Sequence, residues 1–177
     1  RRPNHLPARA RKYSAISERD KGDQAVKRGK ELLAKKMLTS ALEALEQVSA
    51  QDPGHPDLEA ALKQARESQE IAARLYNQGT AALKDQQPDL AVISLAQLME
   101  MYPFHVQGAV ALAEASLAAG KALAEQGFPA SGLILLTEAQ KYCAASDEKG
   151  GRPPRLDVLK NELGFRGKPL AAQVASR

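Results

Sequence analysis

The chain has one cysteine, no tryptophan, three phenylalanines and four tyrosines among its 177 residues. A single thiol, Cys143, excludes an internal disulfide framework and any cluster of thiolate metal ligands, and it leaves the redox compartment open. Valine and isoleucine are also few, so the side chains that favour strands are scarce. The Ala- and Leu-rich remainder points to an all-α fold. The longest uninterrupted apolar run, Ala109 to Ala113, falls far short of the roughly 20 residues that a membrane-spanning helix needs. No membrane insertion is expected, and a soluble protein of cytoplasm or periplasm is. No apolar stretch follows Arg1-Arg2 and the chain begins without Met, which reads as a processed or truncated chain.

Residue patterns that would mark chemistry are missing as well. His5, His55 and His105 stand far apart, with no acidic or cysteine partner at ligand spacing, so neither a metal nor a cofactor is expected. Gly150-Gly151 precedes Arg-Pro-Pro instead of a helix start with Lys and Ser or Thr, so it reads as a hinge and not as a phosphate cradle. Cys143 follows Leu136 and Ala139 at helical spacing, which makes it a small core residue and not a nucleophile. The carboxylates are spread over helix faces, as Glu43 and Glu46 are, and mark no catalytic pair. A non-enzymatic chain is expected.

The formal charge of +4 conceals an uneven distribution. Residues 1–36 hold 12 basic and 4 acidic side chains, a net of +8; residues 37–148 hold 6 and 15, a net of −9; residues 149–177 hold 7 and 2, a net of +5. Basic ends on an acidic body attract polyanions, other proteins or a second copy of the chain. Single-strand binders interleave cations with aromatic platforms, but residues 1–36 offer only Tyr13 and the tail only Phe165. Contact with protein, or with itself, therefore stands ahead of nucleic acid.

What is present is a spacing that recurs three times. Gly29, Gly79 and Gly120 are each followed twelve residues on by a small residue (Ala41, Ala91, Gly132) and sixteen on by leucine (Leu45, Leu95, Leu136). Nineteen residues on stand Val48, Leu98 and Ala139, and twenty-four on stand Pro53, Pro103 and, breaking the pattern, Ala144. Two helices can cross closely only where the residues at the crossing lack bulk, so each glycine with its small partner marks a helix pair, and the leucines fill the seam behind it. Pro88 and Pro129, nine residues after their glycines, suit the first turn of a second helix. Asp85-Gln86-Gln87 and Gln126-Gly127-Phe128 are the turns before them, and Asp52 to Pro56 stops one pair and starts the next. Pro56 to Lys84 reads either as one long helix or as two broken near Glu67.

With Gly29/Ala41/Pro53, Gly79/Ala91/Pro103 and Gly120/Gly132, residues 22–145 resemble the tetratricopeptide repeat (TPR) family, whose unit of about 34 residues carries small residues at its eighth and twentieth positions. The glycines here are 50 and then 41 residues apart, so the stack is expected to be irregular. The resemblance implies a short α-solenoid of three helix pairs, at about 22–55, 56–105 and 106–145. Around it are expected a basic arm over 1–21, extended or disordered for want of apolar residues, a linker over 146–154, and a short helix from Arg155 to Leu163, ended by Gly164, with a basic tail.

The resemblance also implies a partner groove along the first helix of each pair, lined by Lys30, Leu33, Tyr76, Asn77, Thr80, Lys84, Leu117 and Lys121, together with Asp23, Val26, Ala73 and Glu114. That groove either takes a peptide or helix of another protein or is filled by the chain's own arm. Of the positions with which some TPR domains clamp a chaperone tail (here Val26, Lys30, Asn77, Glu114 and Ala118), only Asn77 agrees, so that clamp is absent. The basic arms are Arg1, Arg2, Arg9, Arg11, Lys12, Arg152, Arg155, Arg166 and Lys168. The expected function is a scaffold or structural subunit of a larger complex, with other protein subunits as partners. The alternatives are an accessory subunit of a nucleic-acid assembly and a TPR-type secretion chaperone.

Overall fold

A computed structural model of the chain describes the backbone of residues 8–176 and the side chains of residues 20–176. Among them are seven helices and no strand: α1 (Ala8–Ala34), α2 (Leu38–Gln51), α3 (Leu58–Lys84), α4 (Pro88–Met101), α5 (Val106–Glu125), α6 (Pro129–Tyr142) and α7 (Pro154–Ala175). The chain divides into two compact units, Arg1–Ser68 and Gln69–Arg177, with the boundary inside α3. Pro56 to Lys84 thus contains a single helix, without a break near Glu67.

The three second helices begin alike because the turns before them are alike. Lys36, Gln86 and Gly127 each stand seven residues after a repeat glycine and each takes a positive φ, of 61°, 58° and 88°. The amide that follows each of them donates to a carbonyl five residues back: Met37 to Leu32, Gln87 to Ala82, Phe128 to Leu123. This is the Schellman end, which satisfies carbonyls that a helix terminus otherwise leaves without partners. Pro88 and Pro129 then occupy the first turns of α4 and α6.

In unit 1, α1 packs on α2. Val26, Leu42, Leu45 and Val48 close with Leu58, Leu62 and Ala65 of α3 into one apolar cluster. Gly29 faces Leu45 so closely that an added Cβ would lie 2.6 Å from the leucine Cγ. In unit 2, Gly79 stands in the same relation to Leu95, and Gly120 to Leu136. Ala41 and Ala91 are fully buried and Gly132 is buried. The glycines, the small residues twelve on and the leucines sixteen on are thus all buried, but the side chain that an added Cβ would meet at Gly29 and Gly79 is the leucine and not the small residue, whereas at Gly120 the small partner, Gly132, also comes close.

Unit 2 has an element that the spacing does not announce. The C-terminal segment, expected as a short helix ending at Gly164 and then a tail, is one helix of 22 residues that runs on through Gly164, Gly167 and Pro169. It packs on α6 and α5, burying Leu156, Leu159, Leu163 and Leu170. Gly164 and Gly167 lie against Gln140 and Leu133 of α6. Burial of four leucines outweighs the roughly 1 kcal/mol by which each glycine disfavours a helix.

The segment before α7 is closed by Asp147, whose Oδ1 accepts the amides of Lys149 at 2.9 Å and Gly151 at 2.6 Å. Its backbone N–H donates to the Gly151 carbonyl, and Gly150 takes a φ of 84°. The expected linker is a tight, self-bonded turn. At the other end, the arm expected to be extended is helical from Ala8 onward. Ala, Arg, Lys and Glu are strong helix formers, and extending a helix already nucleated by packing further along costs little.

Candidate functional site

The residues expected to line a partner groove fall in both units. In unit 1, Leu33 is half-buried against the α1/α2 cluster. Lys30 is exposed and donates to Asp57 Oδ2 at 2.9 Å; this hydrogen bond and the lysine charge hold the Asp57 carboxyl below the usual carboxylate range. In unit 2, Asn77, Lys84 and Lys121 are exposed. The Thr80 hydroxyl turns back to its own helix and donates to the carbonyls of Tyr76 and Asn77. The Tyr76 ring lies 5.3 Å from that of His105.

The third first-helix departs from a free groove lining. Leu117 of α5 is half-buried against the cluster that holds Leu136, Ala139 and Cys143 of the third pair with Leu159 and Leu163 of α7. Glu114 accepts the Arg155 guanidinium at 3.0 and 3.1 Å. Along α5 at these positions, the chain's own C-terminal helix supplies the neighbours.

The basic residues divide in the same way. Arg1 and Arg2 lie outside the described residues, as do the side chains of Arg9, Arg11 and Lys12 on α1. Arg155 and Arg152, expected to reach outward, are paired within the chain, the latter to Asp157 at 2.6 Å. Arg166 lies over the neighbouring Phe165 ring at 5.9 Å. Lys168 borders a shallow groove of about 290 Å³ between α6 and α7, lined by Leu133, Leu136, Gln140 and Leu163.

His55 and His105, whose places just past a repeat-ending proline mark them as turn residues, do stand in the turns before α3 and α5. Each stands 26 residues after a repeat glycine and two after its proline. His105 caps α5: its Nδ1 accepts the Gly108 amide at 3.0 Å, and burial holds its pKa below the ordinary 6.5. His55 Nδ1 accepts the Asp57 amide at 3.3 Å, which leaves the proton on Nε2 to be donated to Asp23 Oδ1 at 2.7 Å. His55 is 7% exposed, so this turn histidine also ties the end of the first pair to α1.

Among the described residues no group of three His, Cys, Asp or Glu side chains could hold a metal ion, and no helix is long and apolar enough to cross a membrane. Cys143 is buried, and that burial pushes its thiol pKa up, the opposite of what a nucleophile requires. Compared with known proteins, the chain matches no protein-family model, no curated protein and no solved structure.

Proposed function

We propose that this chain is a non-enzymatic helical-repeat scaffold of the tetratricopeptide kind, a structural or adaptor subunit that holds other protein chains. The observation that carries this reading is one contact made three times: Gly29 on Leu45, Gly79 on Leu95 and Gly120 on Leu136. A residue of left-handed φ stands seven positions after each of these glycines. Helix pairs repeated on one plan are how a solenoid extends its surface, and an extended surface suits a protein partner. The exposed Asn77, Lys84 and Lys121 on first helices supply the mixed polar contacts that suit a peptide or helix.

The test is cross-linking mass spectrometry on the full chain purified gently from its native source, beside a variant carrying Asn77→Ala and Lys84→Ser. Recovery of one or two other polypeptides, lost in the variant, is the expected result. Recovery of nucleic acid instead, with retention abolished by nuclease and falling steeply with salt, would overturn it in favour of an accessory subunit of a nucleic-acid assembly.

A further inference from the structure

Unit 2 carries two exposed apolar stripes on helices whose opposite faces are buried. On α4, Leu90, Ile93 and Met101 are exposed, Ile93 at 58%; at about 100° per residue they share an arc of about 80°. Ala91, Leu95 and Leu98 are buried on the other side. On α7, Val158 and Phe165 are exposed, Phe165 at 68%, and exposed Pro169 and Ala172 continue the same face, opposite Leu159, Leu163 and Leu170. Both stripes are open to solvent, so neither covers the other within one chain.

Their charges are opposite. Asp85 and Asp89 flank the start of the α4 stripe, and no lysine or arginine occurs from Asp85 through Gly120. The α7 stripe runs between Arg166 on one side and Lys168 on the other, and from Val158 through Ala172 the chain holds Lys160, Arg166 and Lys168 against the single carboxylate of Glu162. An acid-edged apolar strip and a base-edged one complement each other in both of the terms that drive association.

We propose that the α7 stripe of one copy docks on the α4 stripe of a second copy of this chain. In the head-to-tail form each copy keeps one unused stripe and the assembly grows with concentration, whereas a reciprocal pair uses both stripes of each copy and stops at a dimer. This stands on unit 2 alone and does not depend on the scaffold reading, since the purified chain suffices to test it.

Sedimentation velocity of the full chain over a wide concentration range tests the proposal. At low salt the weight-average sedimentation coefficient is expected to rise with concentration, and the rise to shrink at about 0.5 M salt. Ile93→Glu and Phe165→Glu, both at exposed positions, are each expected to weaken self-association at least about tenfold with unchanged thermal melting. An equimolar mixture of the two is expected to form a capped dimer, because one retains the α7 stripe and the other the α4 stripe. Asp89→Lys and Arg166→Glu are each expected to weaken association singly and to restore it when combined in one chain. A wild-type chain that stays monomeric throughout overturns the proposal. So does a Phe165→Glu chain that still dimerises alone, or a mixture of the two glutamate variants that stays monomeric.

Discussion

Gly132 of α6 meets Gly120 of α5 backbone to backbone: a Cβ added to Gly132 would lie 2.7 Å from the Gly120 carbonyl oxygen. At Gly29 the obstacle to a Cβ is a leucine side chain, which can turn aside in part. At Gly132 it is main chain, which yields only if the helices move apart. Gly132→Ala is therefore expected to lower stability by about 1–3 kcal/mol, although alanine is the better helix former by about 1 kcal/mol. Gly22→Ala, whose Cβ would make only an ordinary 3.6 Å contact with His55, is expected to be neutral or stabilising. Denaturant melts of both variants check the pair.

At the second crossing, Gly79→Leu or Ala91→Leu would place a bulky side chain at buried positions. Each is expected to lower stability by about 1–3 kcal/mol, the usual cost of overpacking. An unchanged melting temperature would sink the assignment of these residues to a close helix crossing.

The turns supply a prediction of opposite sign. Gln86 holds a φ of 58° in the place that Gly127 holds at 88°. A non-glycine residue there costs roughly 1 kcal/mol. Gln86→Gly is expected to raise stability by about that amount and Gly127→Ala to lower it by about as much, both read from chemical denaturation midpoints.

His105 makes stability depend on pH in a known direction. Its folded pKa lies below 6.5 because the buried ring disfavours the charged form, and its Nδ1 must stay unprotonated to accept the Gly108 amide. Below pH 6.5 the unfolded chain takes up a proton that the folded chain refuses. The stabilisation is thus complete above that pH and is lost as pH falls through the lowered folded value. Melting temperature is expected to drop as pH falls below 6.5, and His105→Asn, which keeps a capping acceptor, to flatten that part of the profile.

The C-terminal helix is held by leucines more than by its ion pair. Arg155 and Glu114 are both about half exposed, and such pairs contribute under about 1 kcal/mol. Arg155→Ala is expected to change little, whereas Leu159→Ala, at a fully buried position, is expected to cost about 2–5 kcal/mol. Cys143 shares the Leu159 cluster, so its labelling by a thiol reagent should be slow in the native chain and faster in Leu159→Ala.

The burial of the repeat glycines, of the small residues twelve on and of the leucines sixteen on, and the turns before Pro88 and Pro129, were legible because each depends on a local requirement repeated along the chain: no bulk where helices meet, then an apolar residue at a constant offset. The expected end of the last helix at Gly164 followed sound local propensity and failed. Gly164 and Gly167 are tolerated there because a closely packed neighbour, α6, lies against them, and propensity has no knowledge of a neighbour. The same blindness applied to Arg155: a cation in a basic tail reads as solvent-seeking until folding sets it beside Glu114, 41 residues away.

Composition and spacing by themselves determined the all-helical class, the positions of the repeat glycines and the uneven charge, since these rest on backbone sterics and on counting. Only the tertiary structure decided that the C-terminal segment joins the core of unit 2, that His55 is buried against Asp23, and that the apolar residues of α4 and α7 in excess of core needs face outward. Those outcomes depend on which surfaces bury one another, and burial is a property of pairs of elements distant in sequence that no single segment encodes alone.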